Sequence, residues 1–170
     1  MFSGGVIAYP TEAVWGLGCD PFNHEAVARL LALKHRPVHK GLILIAADID
    51  TVASTFPQLS ADDLQRMQRA EEPTSWLIPH HNQVPWWITG QHDTVAVRVT
   101  THGASQQLCR SWGGLLVSTS ANPAGAAPAL TRLKTRCYFG DRVDYYLPGE
   151  VGRASKPSSI IELSTGTVLR

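Results

Sequence analysis

Ser118, Thr119, Ser120 and Asn122 put three hydroxyls and an amide in one short stretch, directly after the apolar run Leu115–Val117. Neutral donors of this kind at a strand end can bind phosphate or carboxylate oxygens. The same stretch also reads as a turn in which Ser120 and Asn122 satisfy their own backbone. Lys34, His35, Arg36, His39 and Lys40 form a local basic cluster. A polyphosphate is held by a point-charge lysine together with a forked arginine, although basic residues at a helix C-terminus also follow from the helix dipole alone. Arg98 lies in the alternating run Val95–Thr100 and shares a face with Ala96 and Thr100. Facing the interior it needs an anionic partner, and the sharper reading aims it at a substrate carboxylate; the plainer one is an edge arginine in water. Tyr9-Pro10-Thr11-Glu12 follows an apolar run and leads into Gly16-Leu17-Gly18. Polar residues beside permissive glycines suit a ligand crevice; the alternative is an ordinary turn with a surface glutamate.

Several chemistries are excluded. There is no GxxxxGK[ST], and Gly16-Leu17-Gly18 runs into Pro21 where a dinucleotide fingerprint needs its third glycine. Any ATP site must therefore be built another way. Ser118 and Ser120 lack the flanking glycines of a nucleophile elbow. His80 and His81 are adjacent and point apart on a strand, so without a third ligand they make no metal site. Trp86 and Trp87 could stack bases, and more commonly such a pair packs core and rim.

The elements that must position these residues are short. The patterns predict strands at 6–9, 42–46, 75–78, 95–100, 115–119, 143–147, 158–163 and 167–170, with helices at 24–36, 61–71, 103–112 and 131–138. Asn23 caps the first helix, with Val27, Leu30, Leu31 and Lys34 along one side, and Pro37 ends it. Ser60 with Asp63 opens the second. Strands alternating with helices early, and clustering late, indicate a single α/β (α+β) domain over 1–170 around a mixed twisted sheet. With 44% hydrophobic and 17% charged residues, the chain buries enough core to need no disulfide or structural metal. Cys19, Cys109 and Cys137 form no CxxC pair, the start lacks a basic region before a long apolar run, and no apolar stretch approaches a membrane span. A cytoplasmic protein is expected. The net charge of +1 does not by itself announce a nucleic-acid binder.

Taken together and in order, Tyr-Pro-Thr-Glu-Ala at 9–13, Lys-x-Arg-Pro at 34–37, Ala-Val-Arg-Val at 96–99 and Ser-Thr-Ser-Ala-Asn at 118–122 resemble the YrdC/TsaC family of threonylcarbamoyl-AMP synthases. Pro148-Gly149, Pro157 to Glu162 and the closing Val168-Leu169-Arg170 continue the match over nearly the whole chain. The resemblance implies an open twisted sheet with flanking helices and a concave, basic cavity. It implies a reaction joining L-threonine, bicarbonate (or carbon dioxide) and ATP into threonylcarbamoyl-AMP and pyrophosphate, which a separate transferase complex uses on tRNA. By motif, Lys34, Arg36 and Lys40 would hold the triphosphate, Lys34 and Arg36 serving the catalytic step. Mg²⁺ would be held mainly by the triphosphate. Thr94, Ser120, Asn122 and Arg170 would contact the nucleotide, and Thr11, Arg98, Ser118 and Ser158 the threonine. Direct binding of tRNA or double-stranded RNA would accompany the activity.

Three departures from the family pattern are visible. Five residues precede Val6 where relatives carry a helix, and Ala13 and Ile45 stand where longer relatives use a threonine and a histidine. Ala70-Glu71-Glu72-Pro73-Thr74-Ser75 replaces an apolar, glycine-containing stretch that lines the cavity, which predicts negative charge near the triphosphate. The rival reading on this ground is a catalytically weak RNA- or nucleotide-binding paralogue; carbamoyl or acyl transfer on another small molecule would use the same cavity.

Overall fold

The computed structural model describes residues 4–154 and 158–169. Its strands are β1 (Ile7–Pro10), β2 (Trp15–Gly18), β3 (Ile43–Ala46), β4 (Thr74–Pro79), β5 (Thr94–Val99), β6 (Leu116–Ser120), β7 (Tyr145–Tyr146) and β8 (Ser159–Glu162). Among the described residues these form one mixed sheet in the order β7-β1-β2-β6-β3-β5-β4-β8. The helices are α1 (His24–Lys34), α2 (Ile49–Thr55), α3 (Ala61–Gln68), α4 (Trp86–Thr89), α5 (Gly103–Trp112) and α6 (Arg132–Phe139). No helix among the described residues is long and apolar enough to cross a membrane.

The two faces of the sheet differ in kind. One carries Ala8, Leu17, Leu44, Val95, Val97 and Val117 into the main core, where Val27 and Leu30 of α1, Val52 and Phe56 beside α2, and Phe139 of α6 close over them. The other carries a small apolar patch of Ile7, Tyr9, Ile45 and Leu116, covered by Cys109 of α5. Beside that patch the second face turns polar. The alternation Val95/Val97 against Ala96/Arg98 therefore separates core from cavity, as a period of two requires.

Several local outcomes differ from the pattern. α1 stops at Lys34, because His35 takes a left-handed conformation (φ 51°) and Arg36 N donates back to Leu31 O at 3.0 Å. The closure precedes any effect of Pro37. α3 begins at the expected capping box, Ser60 and Asp63 bonding each other's backbone and side chain. Gly16-Leu17-Gly18 is a strand rather than a loop. A Cβ on Gly18 would stand 2.5 Å from Val117 O and 2.8 Å from the Tyr9 ring, so close backbone packing, not turn freedom, requires the glycine. His81 and Asn82 have positive φ and form a turn in which Asn82 N donates to His80 Nδ1 at 3.1 Å; the two histidines are not on a strand. The expected last strand reduces to a single bridge, Ile161 to Val168.

Candidate active site

The register of three strands assembles the site. On β3, Ile43 stands opposite Ala96 and Ser118, and Ile45 opposite Arg98 and Leu116. Arg98 on β5 and Ser118 on β6 thus flank β3 on one face, offset by two residues. Together with Thr11, Glu12, Arg36, Ser120 and Ser158 they line a cavity of about 280 Å³. A second cavity of about 340 Å³ is lined by Arg36, Lys40, Thr94, His92 and the apolar side chains of Leu77, Ile160 and Leu169. Arg36, Leu42 and Ile43 belong to both linings, so the two spaces adjoin at these residues.

Arg98 is no edge arginine. β5 is an interior strand, and the residue is 8% exposed. Its anionic partner is Glu12, whose Oε2 lies 3.5 Å from Arg98 Nη2. Glu12 is itself buried, 6% exposed, rather than a surface glutamate. Its Oε1 accepts from Thr100 Oγ1 at 2.6 Å and from Thr101 N at 3.1 Å. Burial pushes the Glu12 carboxyl up, but the positive charge of Arg98 and the bonds from Thr100 and Thr101 outweigh it, and the net shift is downward. Glu12 is ionised at neutral pH. The requirement of an interior arginine for a counter-charge was the signal in the sequence that could have found it.

Lys34 and Asn122 take places behind the cavity. Lys34 Nζ donates to the backbone carbonyls of Ser120 and, at 2.9 Å, of Asn122. Asn122 Nδ2 donates to Pro123 O at 3.1 Å and Ala126 O at 2.8 Å, which closes the 122–126 turn as the plainer reading of that segment expected. Its Oδ1 is buried without a donor among the described residues. Burial, with the Arg36 charge second, pulls the Lys34 ammonium down to about 8. Arg36 Nη2 donates to Gly41 O at 3.0 Å. Ser158 and Ser75 share a buried hydrogen bond of 3.0 Å. Arg170 lies outside the described residues.

Glu71 and Glu72 are exposed and line an open depression with Arg66 and Arg69. Pro73, not the glutamate pair, reaches the cavity wall. The expectation of carboxylates in the triphosphate site is corrected: the chain turns at Pro73 and leaves their charge in water.

The family described as "Telomere recombination", Sua5/YciO/YrdC, matches residues 1–170. The chain belongs to the Sua5/YciO/YrdC family. It is 51% identical to a protein of Cellvibrio japonicus named threonylcarbamoyl-AMP synthase, covering 100% of this chain and 90% of that one. Against the protein of the same name from Pseudomonas aeruginosa it is 54% identical, covering 98% and 90%. Among solved structures, P. abyssi Sua5 complexed with L-threonine superposes with a TM-score of 0.90 at 27% identity. That match covers 99% of this chain, which spans 50% of the Sua5 chain.

Of the three free cysteines, Cys19 and Cys109 are buried and Cys137 is exposed. Burial pushes the Cys19 and Cys109 thiols up, out of the thiolate range. Among the described residues no three His, Cys, Asp or Glu side chains cluster to hold a metal ion.

Proposed function

We propose that this chain is a threonylcarbamoyl-AMP synthase, a nucleotidyltransferase that acts in the cytoplasm on L-threonine, bicarbonate and ATP. The observation that carries this reading is the pair of adjoining cavities. One holds a buried arginine and three serines, suited to an amino acid carboxylate; the other opens past Arg36 towards Lys40 and Thr94, suited to a nucleotide. The names of the relatives from Cellvibrio japonicus and Pseudomonas aeruginosa support it, as does L-threonine in the P. abyssi Sua5 complex.

Bicarbonate loses water to give carbon dioxide, which the threonine amine captures with loss of a proton; the carbamate oxygen attacks the α-phosphorus, and pyrophosphate leaves. Such a step depends on positioning and on neutralising phosphate charge rather than on covalent catalysis. Arg98 receives the threonine carboxylate, with Ser118, Ser158 and the Thr11 segment around it. Arg36 stands between the two substrates, and with Lys40 and Lys34 offsets the charge of the triphosphate. Thr94 completes the nucleotide side, Ser120 lines the adjoining cavity beside Arg36, and Asn122 stands behind it; by motif, Arg170 would also contact the nucleotide. Mg²⁺, when bound, would supply charge neutralisation to the triphosphate; phosphate oxygens and water would be most of its ligands, since among the described residues no three His, Cys, Asp or Glu side chains cluster to hold it. The product is a labile mixed anhydride, to be consumed by a transferase acting on tRNA. Direct contact with tRNA or double-stranded RNA would belong to that hand-over.

The test is product formation. Purified protein with ATP, labelled bicarbonate and L-threonine should release pyrophosphate only when threonine is present. Arg98→Ala should raise the threonine requirement and Lys34→Ala the ATP requirement. Threonine-independent pyrophosphate release, or none at all, would sink the synthase reading.

A further inference from the structure

Glu12 and Arg98 form an ion pair with both side chains sealed, 7% and 10% exposed, whereas the pair Arg29–Asp144 is 40% and 46% exposed. A buried arginine without a counter-charge is prohibitive, but Glu12 is arranged for more than neutralisation. Its backbone is clamped: Gly152 N donates to Thr11 O at 2.8 Å and Ala154 N to Glu12 O at 3.0 Å. One carboxylate oxygen is fully committed, accepting from Thr100 Oγ1 and Thr101 N. The other, Oε2, accepts no hydrogen bond from the described residues and is turned to Arg98.

At 3.5 Å the Oε2–Nη2 contact is longer than a charge-assisted hydrogen bond of about 2.7–2.9 Å. Glu12 therefore attracts the guanidinium without using up its donors. Arg98 Nε is buried and has no acceptor among the described residues. A buried donor left unpaired in a folded protein calls for a partner, and a planar guanidinium offers two parallel donors to a carboxylate.

We propose that Glu12 is the positioning residue for Arg98, holding the guanidinium inside the cavity by charge while leaving its donors for the substrate carboxylate. The identity of that carboxylate as threonine's rests on the function proposed above. Thr100 and Thr101 belong to the same device, because they fix the carboxylate that fixes the arginine. The relay runs from β5's end, through the Pro10–Glu12 turn, back to β5.

Two variants of the full chain test this, Glu12→Gln and Thr100→Val. The amide keeps the shape of Glu12 and removes its charge; the valine removes the 2.6 Å donor at constant volume. Threonine KM should rise about tenfold or more in Glu12→Gln and about threefold in Thr100→Val, with ATP affinity by titration unchanged. Crystal structures of the variants should show Arg98 withdrawn from the cavity. A residue that merely held the fold would lower the melting temperature and the active fraction, and leave threonine KM alone. An unchanged threonine KM with Arg98 in place overturns the proposal, and Thr100→Val reads out the same quantity if Glu12→Gln does not fold. Should wild type release no threonine-dependent pyrophosphate, the proposed function fails by itself. The position of Arg98 in the variant structures then decides: displacement supports the relay, and an unmoved guanidinium refutes it.

Discussion

Lys34 Nζ donates to Asn122 O at 2.9 Å and to Ser120 O, while Ala124 N donates to Lys34 O at 2.8 Å. Side chain and backbone of one residue thus bolt the end of α1 to the end of β6. Replacing it by methionine keeps the apolar stem and removes the donor. Two carbonyls of half-buried residues then lose their partner, at about 1–3 kcal/mol each where no water replaces it. Lys34→Met should lower stability by about 2 kcal/mol in urea unfolding and weaken ATP binding in the folded protein. A variant as stable as wild type would show that the bolt is ornamental.

The same ammonium makes stability and ATP binding diverge with pH. Lys34 is pulled from 10.5 to about 8, chiefly by burial and then by Arg36. Between those values the unfolded chain holds more protons than the folded one, so stability rises with pH across that window. Below about 8 both states are protonated and the cost of burying the charge is fully present. Wild type should gain stability relative to Lys34→Met from pH 8 to 10, measured as the difference between their urea midpoints. ATP affinity should fall over the same range, because the neutral amine offers a triphosphate no charge. Parallel rather than opposed trends would refute the assignment.

Which parts of this arrangement could be seen in the sequence follows from what each residue depends on. The valines of Val95–Val99 exposed their faces by simple alternation, and the Ser60/Asp63 box marked α3 because both signals are local. β2 was invisible as a strand: four residues, two of them glycine, carry little apolar pattern, and Gly18 is required by Val117 and Tyr9, which lie outside its own strand. α4 escaped for its length, a single turn after Pro85. Trp87 there donates to Pro21 O at 3.0 Å while Trp86 stays 60% exposed, a division no adjacent pair of tryptophans declares. Arg98 was legible as a candidate because charge interrupts a β pattern. That Arg98 needs a counter-charge was also legible, but not that Glu12 supplies it, since its burial is set by Arg98, Thr100 and Thr101, all more than eighty residues away.

Glu71 and Glu72 should prove nearly silent. Both are exposed, share their depression with Arg66 and Arg69, and lie outside the cavity that Pro73 helps to line. Exposed charges interact weakly and are screened within about 8 Å at physiological salt. Glu71→Gln with Glu72→Gln should leave ATP KM within about twofold of wild type at about 0.15 M salt. A large drop in ATP KM on removing the pair would mean that their field reaches the triphosphate after all.

Gly152 couples the strap after Gly149 to the substrate cavity. A Cβ there would stand 2.7 Å from Glu12 O and 3.1 Å from Glu12 Cα, and neither backbone atom can yield as a flexible side chain would. Gly152→Ala therefore lifts the strap and breaks the bonds from Gly152 N to Thr11 O and from Ala154 N to Glu12 O. Each is worth about 0.5–1.5 kcal/mol net, so the melting temperature should fall by about 4–8 °C. Thr11 and Glu12 line the carboxylate side of the crevice and not the side of Lys40 and Thr94. Threonine KM should consequently rise while ATP KM holds, in steady-state assays varying one substrate at a time. Equal rises in both would place the strap under the whole crevice, and a change in neither would leave Gly152 a matter of packing alone.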